Sequence, residues 1–424
     1  GEAEAIVVTA SSVGGGELKT GPSSNFSAQK IEAAPSISRD LKDLARMNPF
    51  VAVDPTNNDA LVCGGANNRT NSLTIDGVRQ NDDFGLQANG YPTQRSPISI
   101  DVVETLGVEL APYDVNYGAF GGCTLNATTK SGGNQFHGQA FYEYTGDRLQ
   151  GDDFAYTDFQ DGSRQNRRLT GKFSEKTFGA TLTGPIIQDR LFFTLNYEKF
   201  SRSEPSLVGP TGSNFANQVP GVSVDQANAV RDIMKSVYGY DPLGYEATRL
   251  PSRDEKIFAK LDWNIAPGHR ATVSYQRTKG SSISASGNTL TGSSTSLGLL
   301  SQWVERQNNL DVYKAQVFSD WTDNFSTEIS ASYKKMDNPG YPLAGNDFAQ
   351  FRVYLNGTTT GPSIFAGTNA SYQTNELTTY LQQYRAKATY TAGSHRITAG
   401  YEREALKLWD LFVQNANGSY VFNS

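Results

Sequence analysis

The sequence predicts a mainly β chain: an antiparallel transmembrane β-barrel wall over residues 134–424, preceded by a small α+β domain. Three observations carry this. From about Phe136 apolar and polar residues alternate with period two, as in strands with one greasy and one wet face. The links between these strands alternate short and long, which sorts tight turns to one end of a sheet and long loops to the other, the outer-membrane barrel pattern. Residues 1 to about 129 lack that texture and mix short apolar patches with Gly, Asn and Pro.

In the first domain a helix is expected over Ser38–Met47, because Ile37, Leu41 and Leu44 make a buried stripe at helical spacing. Ser36 or Ser38 would cap it, and Asn48-Pro49 would stop it. Short strands follow at Leu73–Ile75, before Asp76-Gly77, and at Val102–Leu110. In the second domain, Ile257, Ala259, Leu261, Trp263 and Ile265 oppose Phe258, Lys260, Asp262 and Asn264. Phe325, Thr327, Ile329, Ala331 and Tyr333 likewise oppose Ser326, Glu328, Ser330, Ser332 and Lys334. About nine such strands are expected, near 136–145, 176–186, 190–200, 254–266, 269–279, 308–321, 325–336, 377–391 and 395–409. In lipid every backbone N–H must be paired, so a wall of strands has to close. Trp263, Tyr275, Trp321, Tyr333 and Tyr390 fit interface girdles. The competing reading is a soluble β-sandwich or propeller, whose loops have no reason to sort by parity.

Composition excludes other classes. The formal charge of −6 leaves no basic excess for phosphate, so no nucleic acid is expected. No apolar run approaches the ~18–20 residues of a membrane helix. With 22 Phe, 21 Tyr and 4 Trp the chain is too aromatic for simple disorder. The polar start at Gly1 shows no secretory signal, as expected of a mature, processed form. Asp82-Asp83 and Asp152 match no calcium loop, and His137, His269 and His395 have no metal spacing. Neither a nucleophile elbow nor a phosphate loop is present. The expectation is therefore no enzyme, no cofactor and no metal.

Several motifs in order resemble the TonB-dependent outer-membrane transporters, and among them the Oar-like branch. Glu4-Ala5-Ile6-Val7-Val8-Thr9-Ala10 resembles a TonB box, and Leu73 to Val78 a plug strand-turn signature. Asn116 to Asn126, followed by Thr129-Lys130-Ser131-Gly132, resembles the end of the plug. Leu182 to Ile187 with Asp189 to Phe193 resembles the first barrel hairpin of the Oar-like group. The resemblance covers residues 4 to about 200; beyond that only strand texture supports it.

This resemblance implies a TonB box and leash over residues 1–20, a plug over 21–133 and the N-terminal part of a barrel over 134–424. Ile6, Val7, Val8, Thr9 and Ala10 would bind TonB by β-augmentation, with ExbB/ExbD supplying energy. The wall would contact outer-membrane lipid and lipopolysaccharide. The plug apices would meet an unknown extracellular substrate through Asn67, Asn68, Arg69, Asn81, Asp82, Asp83, Phe84, Tyr91, Tyr113 and Tyr117. Asn, Asp and Gly also favour turns, so each residue singly could be structural. Cys63 and Cys123 would form a disulfide in an oxidising compartment, the alternative being two buried thiols. Three departures stand out. Cys63-Gly64-Gly65 replaces an Arg-Gly pair, and Leu110-Ala111-Pro112-Tyr113 replaces an Arg-Gly-Pro signature of siderophore receptors. Family barrels have about 22 strands, so nine imply that much of the barrel's C-terminal half is missing, or a natural fragment. Peptide or protein cargo is expected over a siderophore. The alternative function is a structural or adhesive surface protein with a plugged barrel.

Overall fold

The computed structural model describes residues 23–423 except 35, 37, 111–114, 117, 119, 150, 152, 158–163 and 169–171. The Ile6–Ala10 segment, Ile37, Tyr113, Tyr117 and Asp152 lie outside the described residues.

The N-terminal part is built on a sheet of β1 (Ser23–Ser27), β4 (Ser72–Ile75), β5 (Val78–Arg79), β6 (Val103–Leu110) and β7 (Cys123–Thr129) in the order β1-β6-β7-β4-β5. Only the β4/β7 pair is parallel. The hairpin of β2 (Val51–Asp54) and β3 (Ala60–Cys63) and the helices α1 (Ala28–Ala33) and α2 (Leu41–Ala45) complete it. Leu41, Leu44, Val102, Leu106, Val108 and Cys123 are buried in its core. β4 and β5 are joined by Asp76-Gly77, both left-handed at φ 49° and 79°, the geometry that a tight two-residue hairpin demands.

Helix α2 is shorter than the expected Ser38–Met47 and starts at Leu41. Arg39 is the reason: its φ of 54° breaks any helical path from Ser38. In that pose its guanidinium reaches Asp101 at 2.6 Å and Glu143 at 2.9 Å. The cap is therefore Asp40, whose carboxylate accepts from Lys42 N at 2.9 Å, and neither Ser36 nor Ser38. Those two hydroxyls donate instead to Asp43, at 2.7 and 2.9 Å.

The wall is one meander of nine strands in sequence order. They are β8 (His137–Gly146), β9 (Ser174–Ile187), β10 (Leu191–Pro205), β11 (Arg249–Ala266), β12 (His269–Ser284), β13 (Val304–Thr322), β14 (Phe325–Asp337), β15 (Asn375–Ala392) and β16 (His395–Phe412). Every neighbouring pair is antiparallel. Turns of two or three residues close four of the links at one end, after β9, β11, β13 and β15.

The two faces are inverted relative to a soluble sheet. On β11, Trp263 is 50% exposed while neighbouring Lys260 is 3% exposed and Asp262 1%. Trp321 and Ile329 are likewise exposed, and Glu328 and Lys334 buried. A second sheet against the Trp263 and Trp321 faces, which a sandwich would require, is absent among the described residues. The expected girdle residues resolve into two levels. Trp321, Phe325 and Tyr390 lie near the tight turns, with Phe325 registered on Tyr390. Tyr275, Tyr313 and Tyr333 form a row across β12, β13 and β14, with ring centroids 4.9 and 6.4 Å apart. Beyond that row the outward residues become charged, at Arg277, Asp311 and Lys335. Tyr313 to Trp321 spans roughly 20 Å of membrane normal, at about 3.3 Å per residue and a tilt of about 40°, close to the ~25 Å apolar band of such barrels.

The long links are not bare loops. Residues Val224–Tyr238 form a helix, α3, started by a reciprocal Ser223–Gln226 capping box. It packs with the strands Ser296–Gly298, Gln350–Tyr354 and Ser363–Gly367 around Val219, Val222, Met234, Leu297, Leu299 and Ile364. Three links far apart in sequence thus share one core beyond the outer ends of the wall.

Candidate functional site

The wet face of the wall is turned onto the N-terminal domain and holds it by polar contacts. Near the tight-turn end, Lys260 Nζ donates to Thr129 O at 3.2 Å and to Ser131 Oγ at 2.9 Å. Midway, Gln276 and Thr278 both donate to Pro97 O, at 2.7 and 2.6 Å. Lys334 Nζ meets Asp83 at 2.7 Å and Asn81 O at 3.0 Å. Further out, Gln94 donates to Ser282 Oγ at 2.8 Å. The domain therefore stands inside the wall, with the Asp76-Gly77 turn toward the tight-turn end and residues 80–94 toward the long-loop end.

Asp76 fastens the lower turn. Its carboxylate accepts from Thr129 N at 2.9 Å and Thr129 Oγ1 at 2.7 Å, and its carbonyl accepts from Lys314. Burial alone would push this carboxyl up, but Lys260, Lys314 and the Thr129 hydrogen bonds together hold it below the usual range. Asp43 is held low in the same sense, its burial outweighed by bonds from Ser36 and Ser38. A depressed carboxyl stabilises the fold above its unfolded-state pKa and stops doing so as pH falls through its folded value. The unfolding midpoint of the reconstituted protein, followed by calorimetry, is thus expected to hold down to about pH 4 and to drop below it. Asp76→Asn should flatten part of that drop; a profile unchanged by the substitution would refute the anchoring role.

The residues expected to meet substrate divide sharply. Tyr91 is buried and its hydroxyl donates to Asp40 at 2.5 Å; burial and the Asp40 charge raise its pKa well above the phenolic norm. Asp83 is sequestered between Arg79, at 2.9 Å, and Lys334. Asn81 bridges the backbone of Leu73 and Asn71. Asp82 accepts from Phe84 N and Gln87 N to form the turn. Asn67 caps a single helical turn, and Asn68 donates to Ala88 O at 2.5 Å. All six make bonds that shape the apex, as turn-forming residues usually do. Arg69 is exposed and lies against Gly85. Phe84 and Leu86 remain, at 42% and 41% exposure.

Those two side chains floor a cavity of about 240 Å³. Its sides come from the outer ends of β13, β15 and β16 and the start of the link after β14: Arg306, Asn308, Asn338, Leu377, Asp410 and Phe412. None of these wall residues was singled out from sequence. The available signal was parity, since Arg306 and Asn308 share the inward register of Lys314 on β13. Cys63 and Cys123 are disulfide-bonded, with Cα atoms 5.8 Å apart, and tie the β2–β3 hairpin to β7.

Comparison with known proteins accounts for both parts. The TonB-dependent Receptor Plug Domain family matches residues 18–123, and the Outer membrane beta barrel domain family matches residues 128–221. The TonB-dependent transporter Oar of Myxococcus xanthus is 31% identical over 208 residues, covering 43% of this chain and 18% of Oar. Among solved structures, the outer membrane transporter YddB of Escherichia coli matches 95% of this chain and 50% of its own, with a TM-score of 0.66 at 14% identity. The ferric enterobactin receptor PfeA of Pseudomonas aeruginosa matches 92% of this chain and 49% of its own, with a TM-score of 0.56 at 15% identity. The chain thus spans about half the length of these solved relatives and less of Oar. The chain therefore carries a TonB-dependent receptor plug domain standing inside the N-terminal portion of a lipid-facing β-barrel of the Gram-negative outer membrane, and is similar in both parts to TonB-dependent transporters.

Proposed function

We propose that this protein takes up a substrate across the outer membrane by coupling to TonB, with peptide or protein cargo rather than a siderophore. The observation that carries the reading is the seated plug. The lumen face is ion-paired to it at several heights, so passage requires work on the plug, and an open diffusion pore does not fit. The outer membrane holds no ATP, so that work has to arrive mechanically through TonB and its ExbB/ExbD energy supply. The partner strand would be Ile6–Ala10, whose β-branched residues favour the extended state. β1 then receives the pull; among the described residues it lies at the sheet edge with β6 as its single ladder partner. The cargo preference rests on the likeness to Oar and on the missing Arg-Gly-Pro signature; the 15% identity to an enterobactin receptor speaks for fold alone.

Deleting residues 4–10 should abolish uptake while leaving surface binding intact, measured with labelled cargo on whole cells. Unchanged uptake would discard the mechanism. The second reading, a structural or adhesive surface protein, is favoured by the cored unit that the long links build around α3. It predicts that adhesion survives the same deletion and is lost when that unit is removed.

A further inference from the structure

The lipid-facing side of the wall changes character at one end. Above the tyrosine row, toward the long links, the outward register of β9 to β12 carries Lys176, Lys199, Arg253, Arg277 and Lys279. Glu255 is the one carboxylate in that stretch of outward positions, registered between Lys199 and Lys279. A chain of net charge −6 thus gathers a cationic patch on the outside of its wall. Arg277 is partnered by Asp311 at 3.8 Å. Among the described residues no ion pair joins Lys176, Lys199, Arg253 or Lys279 to a carboxylate. Neighbouring strands lie about 4.8 Å apart and successive outward residues about 6.7 Å. These four cations therefore share an area of roughly 10 by 7 Å, and one carboxylate leaves them in net repulsion. Below the patch, on the same face, is a hollow of about 650 Å³. Ala315 and Ala331 are registered on each other at its floor, between Val273 and Tyr384, with the tyrosine row as its upper rim. A gap there forfeits dispersion contacts, so hydrocarbon fills it. The outward column of β11 joins the two features, running from Arg253 through Ile257 to Ala259 at the edge of the hollow.

We propose that this face holds one phosphorylated glycolipid of the outer leaflet, its phosphate on Lys199, Lys279 and Arg253 and one acyl chain laid along Ile257 and Ala259 into the hollow. Height selects a glycolipid over a phospholipid. Successive outward residues differ by roughly 5 Å along the membrane normal at a tilt of about 40°. The cations therefore stand roughly 5 to 15 Å above the tyrosine row, whereas the polar layer of a phospholipid leaflet is about 5–7 Å thick. A headgroup of phosphates carried on sugars reaches through that range. Lys335, further round the wall, is already paired with Asp337 at 2.7 Å, which confines the site to β9–β12. The site lies outside the wall and does not depend on coupling to TonB.

The test is native mass spectrometry of the full chain released from detergent micelles, titrated with diphosphoryl lipid A and with the same lipid stripped of phosphate. One equivalent of the diphosphoryl lipid should bind about a hundredfold more tightly, since each Lys or Arg near an anionic lipid adds about fivefold and three are engaged. Lys199→Gln/Arg253→Gln/Lys279→Gln, all at the outer rim of the wall, should erase that preference. Ala315→Leu/Ala331→Leu should fill the hollow and weaken both lipids by about tenfold, the worth of roughly two buried methylenes, while the preference between them survives. Lys335→Gln should change neither. Equal affinity for the two lipids, a preference that outlives the triple substitution, or an equal loss with Lys335→Gln would overturn the site. So would phosphatidylglycerol binding as tightly as the diphosphoryl lipid, which would reduce the patch to a general attraction for anionic lipid, or inorganic phosphate displacing the bound lipid. The comparison of lipids on the unsubstituted chain decides the matter even where a variant fails to fold. Lipid binding does not involve residues 4–10, so its failure would leave the transport mechanism standing, and unchanged uptake after their deletion would leave the lipid site standing.

Discussion

Lys256→Met is expected to lower stability by about 3–5 kcal/mol, the cost of breaking a buried ion pair from one side. Lys256 Nζ lies 2.7 Å from Glu198 Oε1 and 2.7 Å from Asp254 Oδ1, and all three side chains are 1–3% exposed. Glu198 also accepts from Ser99 of the plug at 2.6 Å and has Arg39 of the plug 3.8 Å away. The substitution therefore strands two wall carboxylates in a dry interior and loosens the plug's grip on β10. Arg39 keeps a share of the compensation through Asp101 and Glu143, which argues for partial release of the plug over loss of the wall. Denaturant unfolding in micelles should show the shift, with faster proteolysis of residues 36–101 as its local sign. Lys256→Arg should restore most of the loss. A midpoint within about 1 kcal/mol of the parent, the range of an exposed pair, would show that water already reaches the cluster.

Removing the Cys63–Cys123 bridge should cost the plug about 4 kcal/mol on the chain-entropy view, for a closed loop of about 60 residues. The bridge also decides where a pull is felt. Tension entering at β1 reaches Cys63, crosses to Cys123 and continues along β7 into β8. The chain between the cysteines, which carries the apex, is bypassed. With the bridge intact, drawing out the chain from β1 to Cys63 and on from Cys123 to the end of β7 extends about 48 residues, at most roughly 170 Å at ~3.5 Å each. In Cys63→Ser/Cys123→Ser, or after reduction, extension to the end of β7 involves about 107 residues, roughly 370 Å at the same reach. Single-molecule pulling from the N-terminus should resolve the two lengths. Equal release in both forms would mean that the plug leaves the wall as a body, and the bridge would then have no mechanical role.

The wall was legible in the sequence because its strands obey one local rule. Each outward position must suit lipid and each inward position must suit a polar plug, so alternation survives in every strand, and all nine appear where the pattern puts them. The Asp76-Gly77 turn was legible for a related reason, since a two-residue hairpin admits few residues. The apex was not. Asp83 and Tyr91 read alike as polar turn residues and ligand contacts, and their partners lie on distant segments: Lys334 for Asp83, Asp40 for Tyr91. The α2 cap was missed because Arg39 takes its left-handed pose to reach carboxylates on β8 and just before β6, contacts that no local window contains.

What the sequence determined by itself is which residues alternate and where the chain turns tightly. These follow from backbone periodicity and from the intolerance of lipid for unpaired backbone groups. The tertiary structure alone decided which polar groups neutralise one another inside the lumen, and therefore which remain free. Phe84 and Leu86 stayed open at the apex while neighbouring Asn81 and Asp83 were engaged, Asp83 by a charge some 250 residues away.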